Sequence, residues 1–133
     1  MDNQWLAGFF DGEGCIYLQC DKRKLAVFGL QVSITQNDEP ILKEIQSEFG
    51  GTVYRHSGRR CYRWRITSAP ALSFLKAVQP YVRIKKEQVD LAIEFIKTLR
   101  KRNSSGSVPM EDFISDRRFE IHNRLKDLKH NVA

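Results

Sequence analysis

Glu13 is the residue in this chain best placed to do chemistry, because of what surrounds it. It sits in the string Leu6-Ala7-Gly8-Phe9-Phe10-Asp11-Gly12-Glu13-Gly14. Gly8 and Gly12 stand four apart, on one face of a short helix. Nothing projects beyond their Cα atoms, so another helix backbone can approach that face closely. Glu13 then falls at the negative end of the helix dipole, an unfavourable placement by about 0.5 kcal/mol that invites a compensating cation. Asp11 is two residues earlier and cannot share Glu13's face, so it is given a structural role. An ordinary amphipathic helix with a glycine cap leaves Gly8, Gly12 and the acidic end unexplained.

A second set of residues suits an anionic partner. The stretch from Arg55 to Arg65 holds arginines and no acid. If its hairpin joins the preceding one in a single sheet, Arg55, Arg63 and Arg65 are expected beside the polar residues of that first hairpin. An antiparallel ribbon fits the major groove, where Arg pairs bidentately with guanine and Gln with adenine. Gln19, Gln31, Arg55, Arg63 and Arg65 are therefore base-reading candidates, with Tyr17, Asp21 and Ser33 beside them. The competing reading is a solvated polar sheet face.

The elements that must position these groups follow from periodicity. Asp2 or Asn3 caps a helix from about Gln4 to Glu13. Strands are expected over Cys15–Asp21 and Val27–Gln36, across the turn Lys22-Arg23-Lys24. In the second strand Phe28, Leu30, Val32 and Ile34 alternate with Gly29, Gln31, Ser33 and Thr35, and in the first Ile16, Leu18 and Cys20 alternate with Tyr17, Gln19 and Asp21. Asp38-Glu39-Pro40 starts a helix that Gly50-Gly51 ends. A second hairpin pairs Thr52–His56 with Arg60–Thr67 across Ser57-Gly58-Arg59. Helices follow over Ser68–Val78, Ile84–Arg102 and from Pro109. In the last of these Phe113, Ile121, Leu125 and Leu128 are the docking residues. The resulting order, αββαββα plus helices, is an α+β fold with an antiparallel sheet apolar on one face. Residues 1–102 form the core, 103–108 a linker, and 109–133 a helical extension of the same domain.

Composition narrows the partners. The chain has 133 residues and a net charge of +6, which favours nucleic acid or an acidic membrane surface. No apolar run is long enough to span a bilayer. No leader-like segment precedes the motif, and the basic residues do not gather on one amphipathic helix, so nucleic acid is the better partner. Cys15, Cys20 and Cys61 lack the spacing of a disulfide framework or a zinc site, and read as free thiols of a protein that is not secreted. His56, His122 and His130 are not spaced as ligands. The mixed charge of residues 123–130 reads as a solvated helix face.

The string from Leu6 to Gly14 resembles the LAGLIDADG motif of homing endonucleases. The resemblance implies a saddle-shaped sheet over DNA, with motif helices packed at the centre and their ends holding divalent metal above the scissile phosphates. One motif implies a homodimer in which Gly8, Phe9 and Gly12 meet their symmetry mates, on a long, roughly palindromic duplex. It makes Glu13 the metal ligand, where many members carry Asp, with the Gly12 carbonyl beside it. The metal is Mg²⁺, with Mn²⁺ as a substitute. It also points to Gln36, in Ile-Thr-Gln, as a water-organising residue, and to Lys85 as a basic residue that polarises the phosphate or the attacking water. Asp38-Glu39-Pro40 replaces a stretch where relatives often show Arg. The expected activity is site-specific double-strand DNA cleavage leaving short 3′ overhangs, in an intron-encoded protein of an organelle, prokaryote or phage-infected cell. The alternatives are an intron RNA maturase, a DNA-binding regulator that does not cut, and a fragment of an intein endonuclease.

Overall fold

The computed structural model describes residues 1–21, 26–56, 60–98 and 112–131. The expected turns at 22–24 and 57–59, the linker at 103–108 and the start of the last helix at 109 lie outside them. So do the side chains of Cys20, Asp21, Phe28, Phe113 and His130.

Helix α1 (Asn3–Glu13) is capped by Asp2, whose carboxylate accepts the Gln4 amide at 2.8 Å. Strands β1 (Gly14–Asp21) and β2 (Ala26–Gln36) follow, then α2 (Glu39–Phe49), β3 (Thr52–Arg55), β4 (Tyr62–Thr67), α3 (Ala71–Val78), α4 (Lys86–Lys97) and α5 (Asp112–Asn131). The strands form one antiparallel sheet in the order β1-β2-β4-β3. The order expected from periodicity is therefore the order found.

Asp38 and Glu39, the acids that depart from the family pattern, are spent on the start of α2. Asp38 accepts the Ile41 amide at 3.2 Å, and Glu39 pairs with Lys43 at 3.3 Å. The glycine pair after α2 is required by geometry. Gly50 and Gly51 both have positive φ, and a Cβ on Gly51 would lie 2.6 Å from the Arg65 carbonyl oxygen. The Trp64 indole N–H donates to the Gly50 carbonyl at 2.8 Å, which fixes this corner against the sheet.

One sheet face carries the core. Ile16, Leu18, Leu30, Val32, Ile34, Trp64 and Ile66 are buried beneath Leu6, Ala7 and Phe10 of α1 and the apolar faces of the other helices. Phe74 of α3 contacts Phe10, Phe49 and Trp64, with ring centroids 4.9–5.3 Å apart. One ring thus ties α3 to α1, α2 and β4.

Helix α4 is shorter than expected. It begins at Lys86 rather than Ile84, and its last turn closes at Thr98, whose hydroxyl donates back to the Phe95 carbonyl. Helix α5 docks there. The buried Arg118 guanidinium donates to the Thr98 hydroxyl and carbonyl, and Ile121 and Leu125 join the core. Arg117 and Arg124 each grip a carboxylate of α4 with two nitrogens, Glu94 and Glu87 respectively. Of the residues 123–130 expected on a solvated helix face, Asn123, Arg124, Lys126 and Asp127 are exposed, and Arg124 at the same time pairs with Glu87 of α4.

The bidentate arginines hold the Glu87 and Glu94 carboxyls below the ordinary carboxylate value of 4.5. A carboxylate whose folded-state value is depressed stabilises above its unfolded value and stops doing so as pH falls through the folded one. Urea midpoints measured from pH 7 down to pH 3 are expected to fall below about pH 4.5. The double variant Glu87→Gln, Glu94→Gln is expected to start lower at pH 7 and to lose part of that slope. An unchanged slope would contradict this docking.

Candidate active site

The site is built at the junction of α1 and β1. The chain reverses from helix to strand within one residue because Gly14 has no side chain. A Cβ there would collide with the Phe10 ring, which lies over the junction, and the Gly14 amide closes the helix by donating to the Phe10 carbonyl. Phe10 is fully buried, so the core fixes where the helix ends and hence where Glu13 stands.

Gly8, Gly12 and Glu13 are all exposed, whereas Leu6, Ala7 and Phe10 of the same helix are buried. Nothing lies within 4 Å of a Cβ built on Gly8 or Gly12. Trp5 is 47% exposed on this helix and stacks on half-buried Phe9 at 5.0 Å. Glu13 makes no ion pair among the described residues.

Asp11 has the structural role assigned to it, through contacts across the chain. Its carboxylate accepts the Arg83 amide at 2.8 Å and the Lys85 amide at 3.0 Å, and its carbonyl accepts the Lys85 ammonium at 2.7 Å. The connection between α3 and α4 is thereby fastened to the end of α1. Lys85 becomes half-buried beside the motif. Burial pushes its pKa down, while the charges of Asp11, Cys15 and Glu13 oppose that shift. Glu13 and Lys85, far apart in sequence, are thus brought to one place.

Gln36 ends β2, two residues past the Gly14–Ile34 pair and so level with the helix–strand junction. Its side-chain oxygen accepts the Asn37 amide at 2.8 Å. Groups that could hold a divalent cation here are the Glu13 carboxylate and the Gly12 carbonyl, which lies in the last helical turn, where the helix itself supplies no donor. Among the described residues no group of three or more His, Cys, Asp or Glu side chains converges. One chain therefore offers hard oxygen ligands of the right chemistry, but only one carboxylate.

The polar sheet face presents the nucleic-acid candidates. Tyr17 pairs with Gln31, Gln31 with Thr67, Thr35 with Arg63 and Ser33 with Arg65, so these residues share a face. Gln19, opposite Gly29, joins them. Arg65 lies 5.5 Å over the Tyr54 ring, and Arg63 donates to the Thr35 hydroxyl at 3.2 Å. Two expectations are corrected. Arg55 pairs with Tyr62, so it lies on the opposite face from Arg63 and Arg65, because β3 enters its ladder with Thr52 and Tyr54 on the polar side. Ser33 is on the polar face but only 7% exposed, covered on the central strand between β1 and β4. The Asp21 side chain lies outside the described residues. Thr35, Thr67, Thr52 and Tyr54 share this face; the alternation of β2 indicates Thr35, while Thr52 and Tyr54 of β3 were not read as part of it.

A model of the LAGLIDADG endonuclease family matches residues 6–91. The chain belongs to the LAGLIDADG endonuclease family. It is 32% identical over 114 residues to the DNA endonuclease I-CvuI of Chlorella vulgaris, across 80% of this chain and 70% of that protein. It is 35% identical over 88 residues to the intron-encoded RNA maturase bI4 of Saccharomyces cerevisiae, across 65% of this chain, and spans only 13% of that protein's length. The fold matches crystal structures of I-CvuI bound to DNA. The one with its own target, with calcium present, gives a TM-score of 0.76 at 24% identity, over 95% of this chain and 80% of the other. Another I-CvuI complex was obtained with magnesium present. Membership of this LAGLIDADG family thus rests on the motif region itself, the part of the chain that carries Glu13, Asp11 and Lys85. No helix among the described residues is long and apolar enough to cross a membrane.

Asp11→Ala is expected to lower stability by about 1–2 kcal/mol, through loss of two hydrogen bonds to the Arg83 and Lys85 amides whose donors water can partly satisfy. Urea denaturation checks this. An unchanged midpoint would contradict the fastening role.

Proposed function

We propose that this chain is a homodimeric, divalent-metal-dependent DNA endonuclease. It cuts a long, pseudo-palindromic duplex to leave short 3′ overhangs and promotes homing of the intron that encodes it. The observation that carries the reading is the exposed Glu13, without an ion pair among the described residues, at the end of the helix that carries the open Gly8 and Gly12, with Lys85 fastened beside it by Asp11.

A single carboxylate per chain supports a paired site. Two copies joined along the Gly8, Phe9 and Gly12 face would bring two Glu13 side chains to one seam. Glu13 and the Gly12 carbonyl are the groups that would hold Mg²⁺, with Mn²⁺ substituting. When bound, the metal supplies Lewis-acid stabilisation of charge on the phosphate oxygens and a more acidic water. Gln36 orients the attacking water, and Lys85 stabilises charge at the phosphate. Tyr17, Gln19, Gln31, Arg63 and Arg65 face the duplex, and the arginine planes suit bidentate contact with guanine. I-CvuI, crystallised on DNA, supports the same partner for this chain.

The identity with bI4 favours a second reading, in which the same surface binds a structured intron RNA as a maturase. Affinity for duplex DNA against such an RNA, at matched salt, separates the two.

Two variants test the first reading on intron-free genomic DNA, with ends mapped by sequencing. Glu13→Gln is expected to bind duplex as the parent does yet lose cleavage by at least about 100-fold, the scale of losing a charge-stabilising group at the reacting phosphate. Normal cutting by Glu13→Gln would remove its catalytic assignment. Gly8→Leu is expected to place a side chain in the seam between the two helices, to weaken association of the two copies and to abolish cutting, with the helical circular dichroism of the chain retained. Retained cutting would contradict the paired site.

A further inference from the structure

Gly14, Cys15, Ile84, Lys85, Gln88 and Lys129 line a cleft of about 210 Å³ immediately beside Glu13. Two of these residues are lysines, and they are held differently. The Lys85 ammonium is already committed to the Asp11 carbonyl. Lys129, near the end of α5, has no carboxylate partner among the described residues. Its ammonium lies 5.2 Å from the centre of the Tyr17 ring. A ring face attracts a cation without cancelling its charge. The position of Lys129 is set by the rest of α5, through the grips on Glu94 and Glu87, the Arg118 contacts at the end of α4, and the burial of Ile121 and Leu125.

Tyr17 stands on the polar face of the edge strand β1, and Glu13 stands at that strand's start. The ammonium therefore occupies the corner where a duplex lying on the sheet would turn its backbone toward the helix end. We infer that Lys129 is a DNA phosphate contact next to the cleavage centre, and that Tyr17 is the positioning residue that holds it there instead of reading a base. This rests on the nucleic-acid reading of the site given above. It brings α5, outside the motif region, into the binding machinery.

The test uses the full chain and two readouts. The first is the salt dependence of binding to a duplex of arbitrary sequence in Ca²⁺. The second is single-turnover cleavage of the mapped target in Mg²⁺. Lys129→Gln is expected to flatten the plot of log affinity against log salt by about 0.9 per chain, the value of one phosphate contact. Cleavage is expected to slow about tenfold or more. Lys129→Arg is expected to restore both. Tyr17→Leu is expected to move both readouts in the same direction as Lys129→Gln, by less. Lys126→Gln, exposed on the same helix and outside the cleft, is expected to keep parental cleavage. A parental salt slope and rate in Lys129→Gln, with an unchanged melting temperature, would overturn the inference. If the parent binds duplex but never cuts, the endonuclease reading fails, and the salt slope alone still decides the phosphate contact. If the parent binds neither duplex nor RNA, both readings fall.

Discussion

The Asp11 carboxylate, accepting the backbone amides of Arg83 and Lys85, is the contact on which the site depends. It joins positions 72 and 74 residues apart and does so at the last turn of α1. The core holds α3 and Val82 against α1, and the Asp11 carboxylate fixes the last part of the connection, Arg83 to Lys85, at the end of the motif helix. Lys85 is thus carried into a half-buried place beside Glu13, against the desolvation that opposes a charged ammonium there. The Lys85 ammonium in turn takes the Asp11 carbonyl, one of the orphan oxygens at the helix end. A positive charge at that end also relieves the unfavourable meeting of Glu13 with the helix dipole. One acidic side chain thereby orders both the backbone and the charge of the site.

The two sides of α1 answer different demands. Leu6, Ala7 and Phe10 enter a core in which Phe74 touches aromatic rings from α1, α2 and β4. The other side keeps Gly8 and Gly12, which cost the helix about 1 kcal/mol each relative to alanine. Among the described residues nothing packs within 4 Å of a Cβ at either position. Close approach of a second helix is the use that two such glycines permit. The stacked Trp5–Phe9 pair adds apolar area to the same helix.

Local patterns made the fold legible. Alternation in β2 and β4, the Asp38-Glu39-Pro40 start and the Gly50-Gly51 stop each act over a few residues, and each stands where expected. Glu13 and Lys85 were legible through the family resemblance, whereas their juxtaposition was not, since Asp11 joins them across most of the chain. Arg55 was placed on the wrong face although it stands two residues from Val53, which packs against the core, and so shares Val53's side of β3. Sidedness of Ser33 was legible but depth was not, since a central strand buries small residues even on a polar face. The docking of helix α5 depends on partners distant in sequence, since Arg117, Arg118 and Arg124 meet Glu94, Thr98 and Glu87 of α4 only once the two helices lie together.

The central claim is that the open glycine face of α1 joins two copies, so that Glu13 acts in pairs. Native mass spectrometry of the protein bound to its duplex target tests it most directly. The account predicts two chains of 15.5 kDa on each duplex, with no stable complex containing one. A cleavage-competent complex with a single chain per duplex would contradict it.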